Sequence, residues 1–578
     1  MDTAADVQPS VPDEPAGSGL SRRQVLTTAG TAGLLATMPV LRGAQQAAAS
    51  TSAASNGTPE QIHLTFGADP ATSMTVSWAS PDQAPGARVL LHGPHLPRTE
   101  VPAVQRTYID GLNGDSVWTY HAELAHLAPD TEYSYVVTAD NDSAPTPFAG
   151  SFRTAPSGPA RFRFTSFGDL ATPNTAWVLS YGQSAYAVAA VESFSPLFHL
   201  LNGDLCYADL NPTVQPEVWR DFGNNNQTSA AFRAWMPVAG NHEIEFNNGP
   251  QGYGSYLTRY LLPDNGVPGF RGNWYSFQVG NVLFVALQGD EVVYQDAGPL
   301  VGGPAPLVPA ASTGNPPIQP GTSLYVSGYS GGAQTAWLER TLAAARQDPS
   351  IDWIVAQMHQ IACSSSVTGN GSDRGIREQW LPLFDKYQVD LVLNGHDHDY
   401  ERSFPVRGFD PMAGTDAATG SPVETRRPHP VTTTDTGVFD TSKGTVHLVL
   451  GGGGTSANLD HYGLDAADGL IQAKVFTKPN NPIPTSTPGV YTRAGADARE
   501  DAIWSARRDT STGYGIGVFD VDPGTGNDEY TSITVRYFHA LGADPTNPTS
   551  GAKGAPNSVY THFETIKLIR PRSAAAVR

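Results

Sequence analysis

The sequence predicts two folds in series: an all-β sandwich over residues 60–155, then a layered α/β domain over 160–570 in which β-sheets are flanked by helices. Two features carry that expectation. In the first stretch, short runs tend to alternate polar and apolar residues between Pro/Gly/Asp turns, as strands with one buried face do. In the second, short and mainly apolar runs of the kind a buried parallel strand needs are interspersed with longer segments of helical spacing. The length of 578 residues agrees, since one hydrophobic core rarely grows so large.

Residues 1–20 are polar, and Ser21-Arg22-Arg23-Gln24-Val25-Leu26 follows. A small-residue apolar stretch then runs to about Leu41, with an alanine-rich end over Ala44–Ala49. A twin arginine, a weakly hydrophobic core and an Ala-x-Ala-like end describe a twin-arginine export signal. Residues 1–49 are therefore expected to be leader and signal, cleaved near Ala49, and the mature protein to be periplasmic, cell-wall-bound or secreted. The stretch falls short of the roughly 20 apolar residues that a bilayer span requires, and no other stretch reaches that length, so no span is expected after signal removal.

The sandwich strands are expected at Ile62–Phe66, Met74–Trp78, Arg88–Leu91, Thr119–Leu124, Tyr133–Val137 and Gly150–Arg153, with Trp78 as the large aromatic of its core. This stretch holds no cluster of catalytic residue types, so its expected role is packing and positioning. His63, His121 and His126 within it, and His199 inside a later strand, are read as packed rather than ligating. Thr154-Ala155-Pro156-Ser157-Gly158-Pro159 is the linker. Beyond it, helices are expected at Trp177–Phe194, Gln334–Arg346 and Arg377–Tyr387. Gly298–Thr322 and Arg407–Gly437 read as surface insertions, and Pro571–Arg578 as a frayed tail. Strands at Gly444–Leu450, Gly515–Val521, Ser532–Phe538 and Phe563–Leu568 are expected to build a second sheet. Gly451-Gly452-Gly453-Gly454 lacks the Lys-Ser/Thr of a phosphate-cradling loop and reads as a tight turn after a strand.

The chemistry is concentrated where strands end. Phe164–Phe167 runs into Gly168-Asp169, Leu197–Leu201 into Asn202-Gly203-Asp204-Leu205-Cys206-Tyr207, and Met236–Ala239 into Gly240-Asn241-His242-Glu243. Ile354–Met358 runs into His359, and Val389–Leu393 into Asn394-Gly395-His396-Asp397-His398. His-x-His by itself also occurs on ordinary solvated turns; five strand ends that each deliver a metal-ligating residue type describe one site, because ligands of α/β sheets gather beyond the carboxyl ends of the strands. Asp169, Asp204, Tyr207, Asn241, His359, His396 and His398 exceed what one metal with an open position requires. They suit two metals about 3.5 Å apart that share a carboxylate. Hard oxygen donors with a phenolate favour an ion such as ferric iron, and imidazole with amide suits a divalent one. The formal charge of −20 excludes nucleic acid and anionic membrane as expected partners, so an anionic substrate needs a locally positive site of this kind. Only 16% of residues are charged while Gly and Pro are plentiful, which suits a loop-rich extracellular enzyme.

The series Gly168-Asp169, Gly203-Asp204-x-x-Tyr207, Gly240-Asn241-His242-Glu243, His359 and Gly395-His396-x-His398 resembles the five-block signature of the purple acid phosphatases, within the calcineurin-like metallophosphoesterases. The stretch Leu127–Tyr135 similarly resembles the corner of a fibronectin type III domain, as in the larger members. The resemblance implies that Asp169, Tyr207 and His398 hold a ferric ion, and that Asn241, His359 and His396 hold a divalent zinc, manganese or iron, with Asp204 bridging. Asp204 and His242 are then the catalytic residues: metal-bound hydroxide attacks the phosphate ester, and His242, with Asn241, faces the substrate. Asp209 and Glu243 are expected as partners of the metal-site histidines.

One block departs from the family. Gln360-Ile361-Ala362-Cys363-Ser364-Ser365-Ser366 stands where plant-type members carry further substrate-facing histidines, and Arg374 or Arg377 is the expected replacement for their positive charge. Cys206 and Cys363, the only cysteines, lie on two ligand-bearing loops. A disulfide between them is favoured over two buried thiols or a thiolate ligand. The whole reads as an exported acid phosphatase acting on small-molecule phosphate monoesters. A phosphodiesterase or nucleotide pyrophosphatase on the same centre is the alternative enzyme, and a non-catalytic surface-binding protein the alternative of another class.

Overall fold

The computed structural model describes residues 57–572 except 95, 141–145, 246–247, 250, 296–327, 368–369, 456–470, 479–480, 485–490, 495–496, 527 and 542–558. The leader and export signal, the Gly298–Thr322 insertion and most of the C-terminal tail lie outside the described residues.

The N-terminal β-rich domain has two layers. One is an antiparallel sheet of four strands, in the order Leu96–Pro102, Arg88–Gly93, Glu132–Thr138 and Phe148–Arg153. The other contains Glu60–Phe66, Met74–Ser80, Ser116–Leu124 and Val104–Ile109. Trp78 is buried between them and stacks on Tyr120 with centroids 5.6 Å apart. The Tyr133 hydroxyl accepts the Ala128 amide at 2.7 Å and so fastens the turn that precedes its own strand. Leu96–Pro102 and Val104–Ile109 were not expected as strands. Both are edge strands, where prolines and charges are tolerated and the apolar alternation is weak.

The second layer of that domain is continuous with the α/β domain. Glu60–Phe66 lies parallel to Ala234–Val238, in register at Leu64 and Ala234, within one sheet of eleven strands. Little of a ladder forms there, and helix side chains satisfy two of the strand's amides: Gln61 and Ile62 donate to Asn224 at 3.1 Å and Gln227 at 2.9 Å. Both acceptors belong to the helix Gln215–Ala230, whose Asn-rich sequence hid it; only Val218, Trp219 and Phe222 form its large apolar stripe.

Phe162–Phe167, Phe198–Asn202 and Ala234–Val238 run parallel at the centre of this sheet. A second sheet of seven strands has Val282–Ala286, Trp353–Gln357, Leu391–Asn394 and Val446–Leu450 parallel at its centre. Aromatic packing joins the sheets face to face. Phe164, stacked at 4.5 Å on Phe519 of the neighbouring strand, and Phe198 both meet Phe284 of the seven-stranded sheet edge-on at 5.1 Å. Gln357 crosses this core and donates to the carbonyls of Leu201 and Met236 at 2.9 and 3.1 Å. The other face of the seven-stranded sheet packs Ile354, Ala356 and Val392 beneath Trp337, Leu338 and Trp380.

Several expectations are corrected here. The late strands do not form a sheet of their own: Gly515–Asp522, Tyr530–Leu541 and Val559–Pro571 extend the eleven-stranded sheet beyond Phe162–Phe167, and Val446–Leu450 joins the seven-stranded one. The helix expected from Trp177 begins only at Ser184, after Gly182 turns at φ 73°. Arg377–Tyr387 is two short helices, Arg374–Gln379 and Leu381–Lys386; Pro382, lacking an N–H, starts the second. The Arg407–Gly437 insertion forms short strand pairs, one joining Val406–Asp410 to Arg427–Pro430.

Glu245 ties several of these pieces together, accepting from Trp219, from Ser255 and from Asn248 Nδ2 at 2.7 Å. Burial lifts its carboxyl to about 7, although hydrogen bonds from Ser255 and Trp219 oppose the rise. Because the folded value exceeds the ordinary one of 4.5, the native state binds this proton more tightly, and stability falls as pH rises between those values. Glu245→Gln should therefore flatten the loss of thermal stability between pH 5 and 7.5, by up to about 3 kcal/mol, in denaturation scans compared with the parent.

Candidate metal centre

Each residue of the candidate centre stands on the turn that leaves one of the parallel strands. Three turns come from the eleven-stranded sheet and two from the seven-stranded sheet, so the face-to-face packing of the sheets brings all five together. Asp169, Asp204, Tyr207 and His396 have left-handed backbones, with φ of 58°, 49°, 62° and 75°. Non-glycine residues rarely adopt this conformation, and such strain gathers where side chains must be aimed at one point. Gly240 leaves room for this aim, since a Cβ there would strike the Asp204 carboxylate.

Two adjoining groups result. In one, the Tyr207 hydroxyl lies 3.0 Å from Asp169 Oδ1 and 3.1 Å from His398 Nε2, and His398 Nε2 is 3.3 Å from Asp169 Oδ1. In the other, His359 Nε2 lies 3.0 Å from Asp204 Oδ2 and 3.2 Å from His396 Nδ1. Asp204, His359 and His396 each offer a ligand atom within 4.8 Å of the others, and all three are buried. Asp169 Oδ2 accepts the His396 amide at 2.8 Å, which links the groups. His359 Nδ1 donates to the Asn202 carbonyl at 2.7 Å, which turns Nε2 toward Asp204. Asn241 Oδ1 is buried and has no hydrogen-bond partner among the described residues. A donor set of carboxylates, phenol, imidazoles and one orphaned amide oxygen fits cations.

Charge is correspondingly unbalanced. Burial opposes ionisation of His359, yet Asp204 and Asp169 outweigh it and raise the imidazole to about 10. Asp204 is buried too, but His359 and His242 hold its carboxyl well below the usual range. Burial and the neighbouring His359 push His396 far down, and burial with Asp169 and Asp204 pushes the Tyr207 phenol far up. The negative field that protonates His359 is one that a bound cation would neutralise.

His242 stands at the open side. Its side chain is 23% exposed, against 0% for His359. His242 Nδ1 is 2.9 Å from Asp209 Oδ2, its amide donates to Asp204 Oδ1 at 2.9 Å, and its Nε2 is 4.0 Å from Asp204 Oδ2. Asp209 is thus the carboxylate partner expected for a site histidine. Glu243 is not: it accepts the amides of Leu205 at 2.8 Å and Gly240 at 2.7 Å, fastening two ligand-bearing turns to each other.

The two arginines expected near the substrate are both paired with carboxylates. Arg374 is held by Glu378 at 2.9 Å and Glu424 at 3.1 Å, and Arg377 is fully buried in a bidentate pair with Glu500. The expected disulfide is absent. Cys206 and Cys363 are free and buried, Cys206 in the core between the sheets and Cys363 in the core outside the seven-stranded sheet. Burial raises Cys363 to about 12 and Cys206 well above its ordinary value, so both are inert thiols.

The glycine run contributes more than a turn. Gly168 donates to the Leu450 carbonyl at 2.7 Å, Gly453 to that of Gly168 at 2.9 Å and Thr455 to that of Asp169 at 3.1 Å. A Cβ at Gly451 would strike the Asp397 carbonyl, and one at Gly453 the Gly168 carbonyl. The run therefore lies flush against the backbones that carry Asp169 and the His-x-His pair. Four glycines directly after a strand were the visible sign; the surface they pack against was not.

Comparison with known proteins agrees with this geometry. Residues 59–154 match the N-terminal domain of purple acid phosphatases, and residues 162–400 match the calcineurin-like phosphoesterases. An uncharacterized protein of Mycobacterium tuberculosis is 40% identical over 563 residues, covering 93% of this chain and 95% of that one. The Fe(3+)-Zn(2+) purple acid phosphatase 12 of Arabidopsis thaliana is 25% identical over 351 residues, covering 60% of this chain and 65% of that one. A purple acid phosphatase from yellow lupin (Lupinus luteus) seeds shares the fold, with a TM-score of 0.57 at 18% identity, over 89% of this chain and 75% of that structure. The chain belongs to the purple acid phosphatase family of calcineurin-like metallophosphoesterases, and this membership implies a dinuclear metal centre.

Proposed function

We propose that the protein is an exported dinuclear-metal phosphatase that hydrolyses phosphate monoesters at acid to neutral pH. The observation that carries this reading is the pair of adjoining donor groups, one rich in oxygen and one in imidazole, together with a buried Asn241 Oδ1 that has no hydrogen-bond partner among the described residues. Asp169, Tyr207 and His398 would hold ferric iron, Asn241, His359 and His396 a divalent zinc, manganese or iron, and Asp204 both. When bound, the two cations supply Lewis acidity, generating the nucleophile from water in acid and neutralising charge on the phosphoryl oxygens.

The chain's own residues do the rest. Asp209 accepts from His242 Nδ1–H and fixes the ring; burial opposes charge on the imidazole, but Asp209 and Asp204 raise it to about 10, so the ring is the imidazolium and its Nε2–H faces the substrate. From there His242 steadies a phosphoryl oxygen and delivers its Nε2 proton to the departing alkoxide. Export is the expected destination from Ser21-Arg22-Arg23 and the stretch after it. Among the described residues no helix is long and apolar enough to cross a membrane.

Catalytic efficiency on a monoester and its matching diester, measured from pH 4 to 8 on protein produced with iron available, tests the substrate class. A strong monoester preference that persists in acid is expected. Better cleavage of the diester would replace the reading with a phosphodiesterase. His242→Ala should lower kcat for alkyl phosphates by about 10²–10⁴-fold and much less for nitrophenyl phosphate, whose leaving group needs no proton. Equal losses on both would remove His242 from proton delivery.

A further inference from the structure

The two histidines of the His-x-His turn present different nitrogens to the centre: His398 offers Nε2, whereas His396 directs Nδ1 toward His359. For His396 this requires that Nε2 carry the proton, and two amide side chains decide it. His396's own carbonyl, which can only accept, takes a hydrogen bond from Asn370 Nδ2 at 2.6 Å. Asn370 must therefore turn Oδ1 the other way, where it accepts from Gln295 Nε2 at 2.8 Å. Gln295 is thereby obliged to turn Oε1 toward His396 Nε2, 3.0 Å away, and an amide oxygen there leaves only a donor role for that nitrogen. Each orientation follows from the preceding one, and the first is settled by a backbone carbonyl.

The relay is itself anchored. Asp373 Oδ2 accepts the backbone amides of Tyr294 at 2.8 Å and Gln295 at 2.7 Å, while Asp373 Oδ1 caps the helix Arg374–Gln379 through Gly375 at 2.7 Å. Gln295 is 8% exposed, so water competes little for its amide. The same end is reached more simply at His359, where the Asn202 carbonyl alone accepts from Nδ1. Neither Gln295 nor Asn370 belongs to the five strand-end motifs.

We propose that Gln295 and Asn370 form an amide relay that sets the tautomer of His396 and holds its Nδ1 for the divalent ion, which makes Gln295 a positioning residue for that metal. The inference rests on the dinuclear reading above. Outer partners of this kind raise the basicity of a ligating imidazole and fix its ring, and their loss commonly weakens metal binding by about 10–100-fold.

The test is metal stoichiometry by elemental analysis, with apparent affinities for zinc and iron from chelator competition, on the parent, Gln295→Met and Gln295→Glu. Gln295→Met keeps the size but offers only a weak thioether acceptor; it should hold one metal at parental affinity and the second about 10–100-fold more weakly. Gln295→Glu keeps the acceptor and should recover most of the loss. Asn370→Ser, which leaves Gln295 in place, should weaken the second metal by a smaller factor, and it carries the test if Gln295→Met lowers the thermal midpoint of the metal-free protein. Parental affinity for both metals in Gln295→Met, or in Asn370→Ser where that variant carries the test, overturns the relay. A parent that binds fewer than two equivalents instead overturns the dinuclear reading on which it rests.

Discussion

The structure depends on keeping acidic side chains, imidazoles and a phenol together out of contact with solvent. Asp169 is 0% exposed and Asp204 2%, and His359 and Tyr207 are equally enclosed. Buried carboxylates repel one another and lose hydration, so such a group persists only where positive charge is supplied. The remaining architecture can be understood as what holds that arrangement against its own repulsion. Two sheets converge so that five strand ends meet, Glu243 fastens two turns through their amides, and the Gly451–Gly454 run fits against two others. The same unbalanced charge that makes the arrangement costly makes it a receptor for cations.

Much of this was legible in the sequence because it was local. A short apolar run followed by Gly-Asp or Gly-Asn-His states both a strand and what stands at its end, and the structure brings together the donors that five such runs deliver. The Ala128–Tyr133 turn was legible for the same reason, as its hydrogen bond spans five residues. What was missed is non-local. The helix Gln215–Ala230 was not expected, because its Asn and Gln side chains serve a strand about 160 residues earlier in the chain rather than an apolar stripe of its own. Cys206 and Cys363 looked like partners because their loops converge, but they point into cores on different sides of a sheet. Arg374 and Arg377 carry charge of the right sign, and their pairing with Glu378, Glu424 and Glu500 was not visible in the sequence.

The N-terminal strands are part of the scaffold rather than an appendage. Glu60–Phe66 adjoins the strand that leads to Asn241 and His242, and the Tyr135 hydroxyl donates to the Ala231 carbonyl at 2.7 Å, just before that strand begins. Rigidity in the turn after Ala234–Val238 therefore derives in part from the β-rich domain. This gives a physical reason for a domain without catalytic residue types to accompany the centre: it stiffens the base from which two site residues project.

The most direct measurement is anomalous X-ray scattering from crystals of the metal-loaded protein, collected at the iron and zinc edges. Two peaks about 3.5 Å apart on either side of the Asp204 carboxylate are predicted, one beside Tyr207 and His398 and the other beside His359 and His396. A single ion, or two ions that do not share Asp204, would contradict the account.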